Sequence, residues 1–207
     1  MSLADKVLIE VPEFIQGLIF DCDGTLIDSM PLHMKAWEYA VTKGGAVWDY
    51  DFFFSKKGMQ EEDIVELFNK QCQTPLSSVA TVKEKHNYFK NHQGDIKPIK
   101  PVVDVVLRYN GVLPMAVASG SKREHVHLQL EALGIKEYFK IILTADDDIK
   151  PKPSPDIFLQ AAVRLGVPPN LCEVFEDGDL GLQAAMKAGM LATDVRPFLI
   201  STASSSL

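Results

Sequence analysis

Five short apolar runs along this chain each end at or beside a polar residue. They are about five residues long and rich in Val, Ile, Leu, Phe or Ala, which is typical of strands buried in a parallel sheet. The predicted strands are 17–21, 115–119, 140–144, 172–176 and 191–195. Segments with apolar positions at helical spacing alternate with these runs, and the predicted helices are 101–110, 122–134, 154–166 and 181–189. This alternation predicts an α/β fold built on a doubly wound, Rossmann-like parallel sheet.

Residues 31–96 break the alternation. The stretches 31–45, 58–72 and 77–94 have the apolar spacing of amphipathic helices, and no convincing strand lies among them. Aromatic residues are frequent here and predict a small separate core; they are Trp37, Tyr39, Trp48, Phe52, Phe53, Phe54, Phe68, Tyr88 and Phe89. We therefore expect an all-helical cap at 31–96, inserted after the first strand of an α/β core formed by 1–30 and 97–207.

Composition and charge limit the function. The 207 residues are 46% apolar and carry a net charge of −7, which argues against nucleic acid or an anionic membrane as partner. A small anionic substrate remains possible because a few local cations or a metal ion can outweigh the net charge at one site. The three cysteines are dispersed, and no apolar segment is long enough for a signal peptide or a membrane span. These features predict a cytoplasmic protein, which at this size we expect to be monomeric.

Polar side chains collect at the ends of the predicted strands. In chain order they are Asp21, Asp23, Ser119, Gly120, Lys152, Glu176 and Asp177. Because the carboxyl ends of parallel strands meet at one edge of a sheet, where ligands of such folds bind, we expect these residues to share a site. Each has an ordinary interpretation when taken alone, such as a helix cap or a solvated turn. Their succession at the strand ends favours a functional site.

The residue types in this set suit phosphoryl transfer. Oxygen ligands without His or Cys favour a hard ion, above all Mg²⁺. Lys152 offers a point charge for phosphate oxygens, and Ser119 and the amides around Gly120 offer hydrogen bonds to them. A carboxylate can act as the nucleophile through an aspartyl-phosphate, while a second one protonates the leaving alcohol and later activates water. Asp21 and Asp23 are the candidates for these two roles.

The stretch 20–29, FDCDGTLIDS, resembles the first motif, D-x-D-G-T, of the haloacid dehalogenase superfamily of phosphohydrolases. The other three motifs follow in the family's order, in VASGS, KPSPD and VFEDGDLGLQAA. The resemblance covers essentially the whole chain, including a helical cap inserted after the first motif. It implies the family's α/β fold and a phosphatase activity.

The resemblance also implies roles for the matching residues. Asp21 would be the nucleophile and Asp23 the general acid/base, while Ser119 and Lys152 would hold the transferring phosphoryl group. Mg²⁺ would be held by the Asp21 carboxylate, the backbone carbonyl of Asp23 and two further acidic residues. Those two are Asp177, as a direct ligand, and Glu176, through water.

Within the superfamily, the chain is most similar to the β-phosphoglucomutase-like branch, and there to bacterial fructose-1-phosphate and other sugar-phosphate phosphatases. His33 matches a histidine that lies near the acid/base aspartate in that branch. Lys57, Gly58 and Met59 correspond to a substrate loop of the cap. Glu61 stands where the mutases carry an arginine that grips a second phosphate, and an anion there would repel that phosphate.

We therefore expect a Mg²⁺-dependent phosphatase acting on a small phosphorylated sugar, a hexose or polyol monophosphate. A sugar-phosphate mutase remains an alternative because lysines beside Glu61 could compensate for its charge. A receiver-like phospho-acceptor module is a more remote alternative, since receivers lack a helical insertion. Two smaller expectations concern neighbours of the motifs: Cys22 packs in the core, away from the aspartates, and Asp179 caps the helix that begins near Leu180.

Overall fold

Strands and helices alternate through most of the protein. The structure is a computed structural model, and it describes residues 8–56, 59–71, 75–92, 94 and 96–199. In chain order the strands and α-helices are β1 (Gly17–Phe20), β2 (Ile27–Asp28), α1 (Met30–Lys43), α2 (Tyr50–Ser55), α3 (Glu61–Asn69), α4 (Ser78–Asn91), β3 (Lys97–Pro98), α5 (Lys100–Tyr109), β4 (Met115–Ala118), α6 (Arg123–Ala132), β5 (Ile141–Leu143), α7 (Asp156–Leu165), β6 (Cys172–Glu176), α8 (Asp179–Lys187), β7 (Leu191–Asp194) and α9 (Arg196–Leu199).

The five predicted strands form one parallel sheet, with the order β5-β4-β1-β6-β7 among the described residues. Strand β1 is central, and its Ile19 pairs with Ala116 of β4 on one side and with Val174 of β6 on the other. Its four residues are buried, as expected for a strand that is covered on both faces. This order brings the ends of β1, β4 and β6 next to one another.

Successive residues of β1 and β6 serve opposite faces of the sheet. Ile19 and Val174 belong to an apolar cluster that includes Phe158 of α7 and Ala184 of α8. On the other face Phe20 stacks on Phe175 with ring centroids 4.7 Å apart. Packing on both faces holds β1 and β6 side by side. The polar residues beyond the strand ends therefore extend from well-packed backbone.

Residues 29–96 form a second unit, which separates from the rest of the chain between Asp28 and Ser29 and between Ile96 and Lys97. Four helices, α1 to α4, are described in this unit. Its apolar core includes Trp37, Phe53 and Phe68, with the rings of Trp37 and Phe53 5.0 Å apart. Tyr39 and Phe54, which the sequence placed in this core, are each 39% exposed.

The bounds of the predicted helices differ from the observed ones by one to three residues, most at α3, which is shorter than the predicted stretch 58–72 by three residues at each end. Helix α2 was not predicted, because its run of three phenylalanines has no helical periodicity; the Asp49 side chain caps it by accepting a hydrogen bond from the Phe52 amide at 3.0 Å. The short antiparallel pair β2–β3 was also missed, since two residues are too few to show a period.

None of the described helices has the length and apolar character that crossing a bilayer requires.

Candidate active site

Lys152 lies between two carboxylates at the carboxyl end of the sheet. Its Nζ is 2.6 Å from Asp21 Oδ1 and 2.7 Å from Glu176 Oε2. Asp21 directly follows β1, and its amide donates to the Phe175 carbonyl at 3.0 Å, which continues the strand pairing. All three side chains are largely buried, so that these contacts are shielded from water.

Asp177 joins the same cluster. Oxygen atoms of Asp21, Glu176 and Asp177 all lie within 4.8 Å of one another, a spacing close enough for one small cation to contact all three. The Thr25 hydroxyl donates to Asp177 Oδ1 at 3.1 Å and orients that carboxylate. Gly24, at a φ of +84°, lets the chain turn tightly here, and a Cβ at this position would collide with the Asp177 carboxylate.

The Glu176 side chain is held by the start of the next helix. Its Oε1 accepts a hydrogen bond from the Gly178 amide at 2.9 Å, while Oε2 contacts Lys152. A Cβ at Gly181, in the first turn of α8, would collide with the Glu176 carboxylate, so a glycine is needed for this approach. Glu176 is thus fixed beside Lys152 by the local backbone.

Burial and mutual repulsion raise the pKa of two of these acids. For Asp21, burial raises the pKa most; the positive charge of Lys152 lowers it, and the negative charge of Glu176 raises it again. The pKa of Asp177 is raised by burial and by Glu176, and is lowered in part by the Thr25 hydrogen bond. The pKa of Lys152 is raised: burial alone would lower it, but its two acidic partners outweigh that effect. An additional cation would relieve the remaining repulsion, and an all-oxygen ligand set suits Mg²⁺.

Asp23 has a different environment from Asp21. Both of its carboxylate oxygens accept hydrogen bonds: Oδ1 from the Gln129 amide nitrogen at 2.8 Å, and Oδ2 from the Ser121 hydroxyl at 2.7 Å. Cys22 is fully buried, as the sequence predicted, but its thiol also donates to Gln129 Oε1 at 3.5 Å. The two aspartates of the first motif therefore contact separate sets of partners.

Ser119 and Gly120 lie at the end of β4, beside β1 in the sheet. Ser119 is 1% exposed, and its Oγ accepts a hydrogen bond from the Ser121 amide at 3.1 Å. Gly120 is exposed, and a side chain there would meet nothing within 4 Å. The hydroxyl is therefore fixed by the local turn, while the backbone at Gly120 is open for approach.

In the second unit, the charge of Glu61 is compensated by residues that the sequence did not indicate. Its carboxylate forms short contacts with the Lys85 ammonium and with His86 Nε2. Burial alone would raise the pKa of Glu61. The His86 hydrogen bond and the Lys85 charge outweigh burial and lower the pKa from 4.5 to about 2. Lys85 itself is 3% exposed, and its ammonium lies 5.5 Å from the centre of the Trp37 ring.

Glu61 and Lys85 border a cavity of about 190 Å³ within this unit. Its other lining residues are Met30, His33, Met34, Trp37, Phe53, Met59 and Ile64. The cavity thus gathers three residues that the sequence assigned to the cap, His33, Met59 and Glu61. His33 also stacks on Phe89 at a centroid distance of 4.3 Å. Lys57 and Gly58, from the same predicted substrate loop, lie outside the described residues.

Asp179 does not cap helix α8, contrary to the expectation from the sequence. Gly178 is the N-cap residue, and Asp179 is the first residue of the helix. The Asp179 side chain is 75% exposed and accepts a hydrogen bond from Arg196 at 2.8 Å. The helix starts one residue earlier than predicted, which places this acid in the first turn, where negative charge is still favourable.

Thr25, Ser121 and Gln129 belong to the site but were not predicted from the sequence. Thr25 lies in the motif FDCDGTLIDS and Ser121 in VASGS, and their hydroxyls within these motifs were a usable signal. Gln129 gives a weaker one: it is a polar residue between buried positions of α6, such as Val126 and Leu130, and only the fold shows that it reaches Asp23.

Residues 15–189 match the model of a family of hydrolases, described as haloacid dehalogenase-like hydrolase. The fructose-1-phosphate phosphatase YqaB of Escherichia coli is 39% identical over 180 residues, which cover 87% of this chain and 96% of that protein. The β-phosphoglucomutase of Bacillus subtilis is 28% identical over 87% of this chain and 83% of its own length.

A solved structure from Thermotoga maritima, of a candidate β-phosphoglucomutase, has the same fold. It superposes with a TM-score of 0.78 at 21% identity, over 92% of this chain and 100% of that chain. At this identity the likeness concerns the fold alone, and it extends over nearly the whole of both chains.

Proposed function

This chain belongs to the haloacid dehalogenase-like hydrolase family, and on that premise we propose that it is a Mg²⁺-dependent phosphatase of a small phosphorylated sugar, acting through an aspartyl-phosphate. The predicted superfamily, the α/β fold and the type of enzyme, a phosphoric monoester hydrolase, are confirmed. The substrate, the metal and the residue roles are the proposal. The observation that carries it is the buried cluster of Asp21, Lys152, Glu176 and Asp177 at the carboxyl end of the sheet.

In the first half-reaction Asp21 is the nucleophile. A carboxylate oxygen of Asp21 attacks phosphorus, and the bond between phosphorus and the sugar oxygen breaks as the acyl-phosphate forms. Asp23, in its protonated form, gives its proton to the departing sugar oxygen. The separate hydrogen-bond partners of the two aspartates support this division of roles.

In the second half-reaction water hydrolyses the acyl-phosphate. The Asp23 carboxylate takes a proton from the attacking water, the bond between phosphorus and Asp21 breaks, and inorganic phosphate leaves. Lys152 and Ser119 hold the phosphoryl oxygens throughout, Lys152 by its charge and Ser119 by its hydroxyl. Both are fixed by neighbours in the fold, so little rearrangement is needed at the moment of reaction.

The acidic cluster fits a hard divalent cation. Asp21, Asp177 and the Asp23 carbonyl would hold Mg²⁺, with Glu176 acting through water, and the ion, when bound, would supply positive charge to the phosphate oxygens. Thr25 and the Gly178 amide support this assignment, since they fix the Asp177 and Glu176 carboxylates in place before any ion arrives.

The helical unit, residues 29–96, is proposed as the cap that reads the sugar. Its cavity offers a carboxylate, an ammonium and aromatic walls, which suit a polyhydroxylated group. Because Lys85 is already paired with Glu61, it is poorly placed to clamp a second phosphate. This pairing supports a phosphatase over a mutase. The support comes from the engagement of Lys85 with Glu61, and no longer from repulsion of a second phosphate by an unpaired Glu61.

The test is a phosphate-release assay with Mg²⁺ over hexose, pentose and polyol monophosphates, including fructose 1-phosphate. We expect release from at least one of them and none in Asp21→Asn, whose circular dichroism should match the wild type and show that the fold is intact. Acid quench followed by mass spectrometry should find a phosphoryl adduct on the peptide that carries Asp21. Release of phosphate by Asp21→Asn at the wild-type rate would show that Asp21 is not the nucleophile.

The same assay separates the mutase alternative. A mutase interconverts β-glucose 1-phosphate and glucose 6-phosphate without net release of phosphate. Following both isomers and free phosphate in one reaction therefore decides between the two functions, and interconversion without release would overturn the assignment as a phosphatase.

A further inference from the structure

Gln129 connects helix α6 to the carboxylate of Asp23. The side chain is 1% exposed, and on the same helix the buried neighbours are the apolar residues Val126 and Leu130. Burying an amide costs free energy unless both of its ends find partners. A leucine or methionine would fill this position without that cost, so the amide's hydrogen bonds are the distinguishing feature of the position.

Both ends of the amide are used within the first motif. The Gln129 nitrogen donates to Asp23 Oδ1 at 2.8 Å, and the Gln129 oxygen accepts from the Cys22 thiol at 3.5 Å. A carboxylate can only accept, and a thiol can donate, so the two partners fix which end of the amide faces which residue. Cys22 precedes Asp23 directly, and the amide is therefore clamped by two consecutive residues.

The hydrogen bonds also distinguish the two oxygens of Asp23. An amide nitrogen can only donate, so Oδ1 is held as an acceptor facing Gln129. Ser121 faces Oδ2 at 2.7 Å, and a hydroxyl can either donate or accept. Two donors, one from the turn after β4 and one from α6, thus define the plane of the carboxylate and leave Oδ2 as the oxygen that can exchange a proton.

We propose that Gln129 is a positioning residue for Asp23: its amide, clamped by Cys22, fixes the direction in which the acid/base carboxylate presents Oδ2 to the leaving group. This inference rests on the proposed function, in which Asp23 protonates the departing sugar oxygen. A displacement of about 1 Å at such a group is enough to lose a large part of its catalytic effect.

The test compares two substrates that differ in their need for an acid. Fructose 1-phosphate has an alkoxide leaving group, which requires a proton, whereas p-nitrophenyl phosphate releases a phenolate that does not. In Gln129→Met, which preserves volume and removes both hydrogen bonds, we expect kcat/KM for fructose 1-phosphate to fall by about tenfold or more. For p-nitrophenyl phosphate we expect a fall of less than about threefold, because kcat/KM reports only steps up to leaving-group departure.

The control is Gln160→Met, the same change at an exposed position of α7, which should leave both values unchanged. In an Asp23→Asn background, Gln129→Met should have no further effect on kcat/KM for either substrate. An equal loss for both substrates, or a full additional loss in that background, would overturn the positioning role. Wild-type turnover reports on the proposed function and the variant ratios report on Gln129, so the two failures are distinguishable.

A second pair of variants covers the case in which Gln129→Met does not fold. Cys22→Ser keeps a donor for the Gln129 oxygen, whereas Cys22→Ala removes it at nearly the same size. We expect Cys22→Ala to lower kcat/KM for fructose 1-phosphate severalfold relative to Cys22→Ser, with no difference for p-nitrophenyl phosphate. Identical kinetics in the two variants would contradict the clamp.

Discussion

Lys152 Nζ lies 2.6 Å from Asp21 Oδ1, although the two residues are 131 positions apart in the chain. The same ammonium is 2.7 Å from Glu176 Oε2, so one lysine separates two buried carboxylates. Without it, the two buried carboxylates would face each other with no positive charge between them. The Lys152–Asp21 contact thus stabilises the fold, and it also places a positive charge beside the proposed nucleophile.

Replacing Lys152 should therefore affect both stability and activity. Lys152→Met removes a buried charge from two partners, and we expect about 3 kcal/mol of destabilisation, less than the most severe cases because protonation of Asp21 relieves part of the strain. We expect kcat/KM to fall on the order of 10²-fold or more, since the phosphoryl oxygens lose their cation. Urea unfolding and steady-state kinetics measure the two effects. Lys150→Met, at an exposed lysine in the same loop, is the matched control, and equal behaviour of the two variants would contradict this reading.

Thr25 should control metal affinity through Asp177. The Thr25 side chain is fully buried, and its hydroxyl holds Asp177 Oδ1 at 3.1 Å. Thr25→Val has the same shape without the hydroxyl, and we expect the Mg²⁺ concentration for half-maximal activity to rise about tenfold, with kcat at saturating Mg²⁺ little changed. Thr25→Ser keeps the donor and should stay close to the wild type. An unchanged Mg²⁺ dependence in Thr25→Val would show that the hydrogen bond does not prepare the site.

The ion pair of Glu61 should make the stability of the helical unit depend on pH. The pKa of Glu61 is lowered from 4.5 to about 2, so its contribution is complete above about pH 4.5 and is lost as the pH falls towards 2. Glu61→Gln should cost about 2 kcal/mol at neutral pH, because Lys85 stays buried without a counter-charge. The difference from the wild type should shrink as the pH falls through that window.

Chemical denaturation at a series of pH values measures this effect. The double variant Glu61→Gln/Lys85→Met should be more stable than Glu61→Gln alone, since it removes the unpaired charge as well. A difference that stays constant from neutral to acid pH would rule out the ion pair as its cause.

Glu173 should have the opposite pH dependence. It is 1% exposed; the Thr193 hydroxyl donates to its Oε1 at 2.6 Å, and its Oε2 has no hydrogen-bond partner among the described residues. Burial raises its pKa, with Thr193 lowering it in part. The raised pKa means that its protonated form stabilises the fold below the unfolded pKa, and that this stability is lost as the pH rises through the folded pKa.

Glu173→Gln should therefore stabilise the protein at neutral pH by about 1 kcal/mol, because the amide fills the same space without a charge. The gain should vanish in acid, where the wild-type carboxyl is protonated. Thermal unfolding at neutral pH and near pH 4 measures both effects, with Glu66→Gln at an exposed position of α3 as the control. A destabilised Glu173→Gln at neutral pH would refute the assignment of a buried, costly charge.

The strands and the four motifs could be predicted from the sequence because each is encoded locally. A run of about five apolar residues predicts a buried strand. A polar residue at the end of such a run is then expected at the edge of the sheet. Asp21, Ser119 and Glu176 followed from that rule. Helix α2 was missed because its three consecutive phenylalanines show no helical period. The cap of α8 was wrong because the exact start of a helix depends on backbone contacts that a sequence period does not contain.

The partners of the charged side chains were decided by the tertiary structure. The strand order β5-β4-β1-β6-β7 places β1 between β4 and β6, and this arrangement brings Lys152 to Asp21 and Gln129 to Asp23. In the second unit, the packing of helices neutralises Glu61 with Lys85, which is 24 positions away. By itself the sequence determined the buried strands and the chemical groups at their ends. Only the fold decided which groups meet, since hydrogen bonds and ion pairs require contact within a few ångströms, and residues far apart in the chain reach that distance only when the sheet and helices have packed.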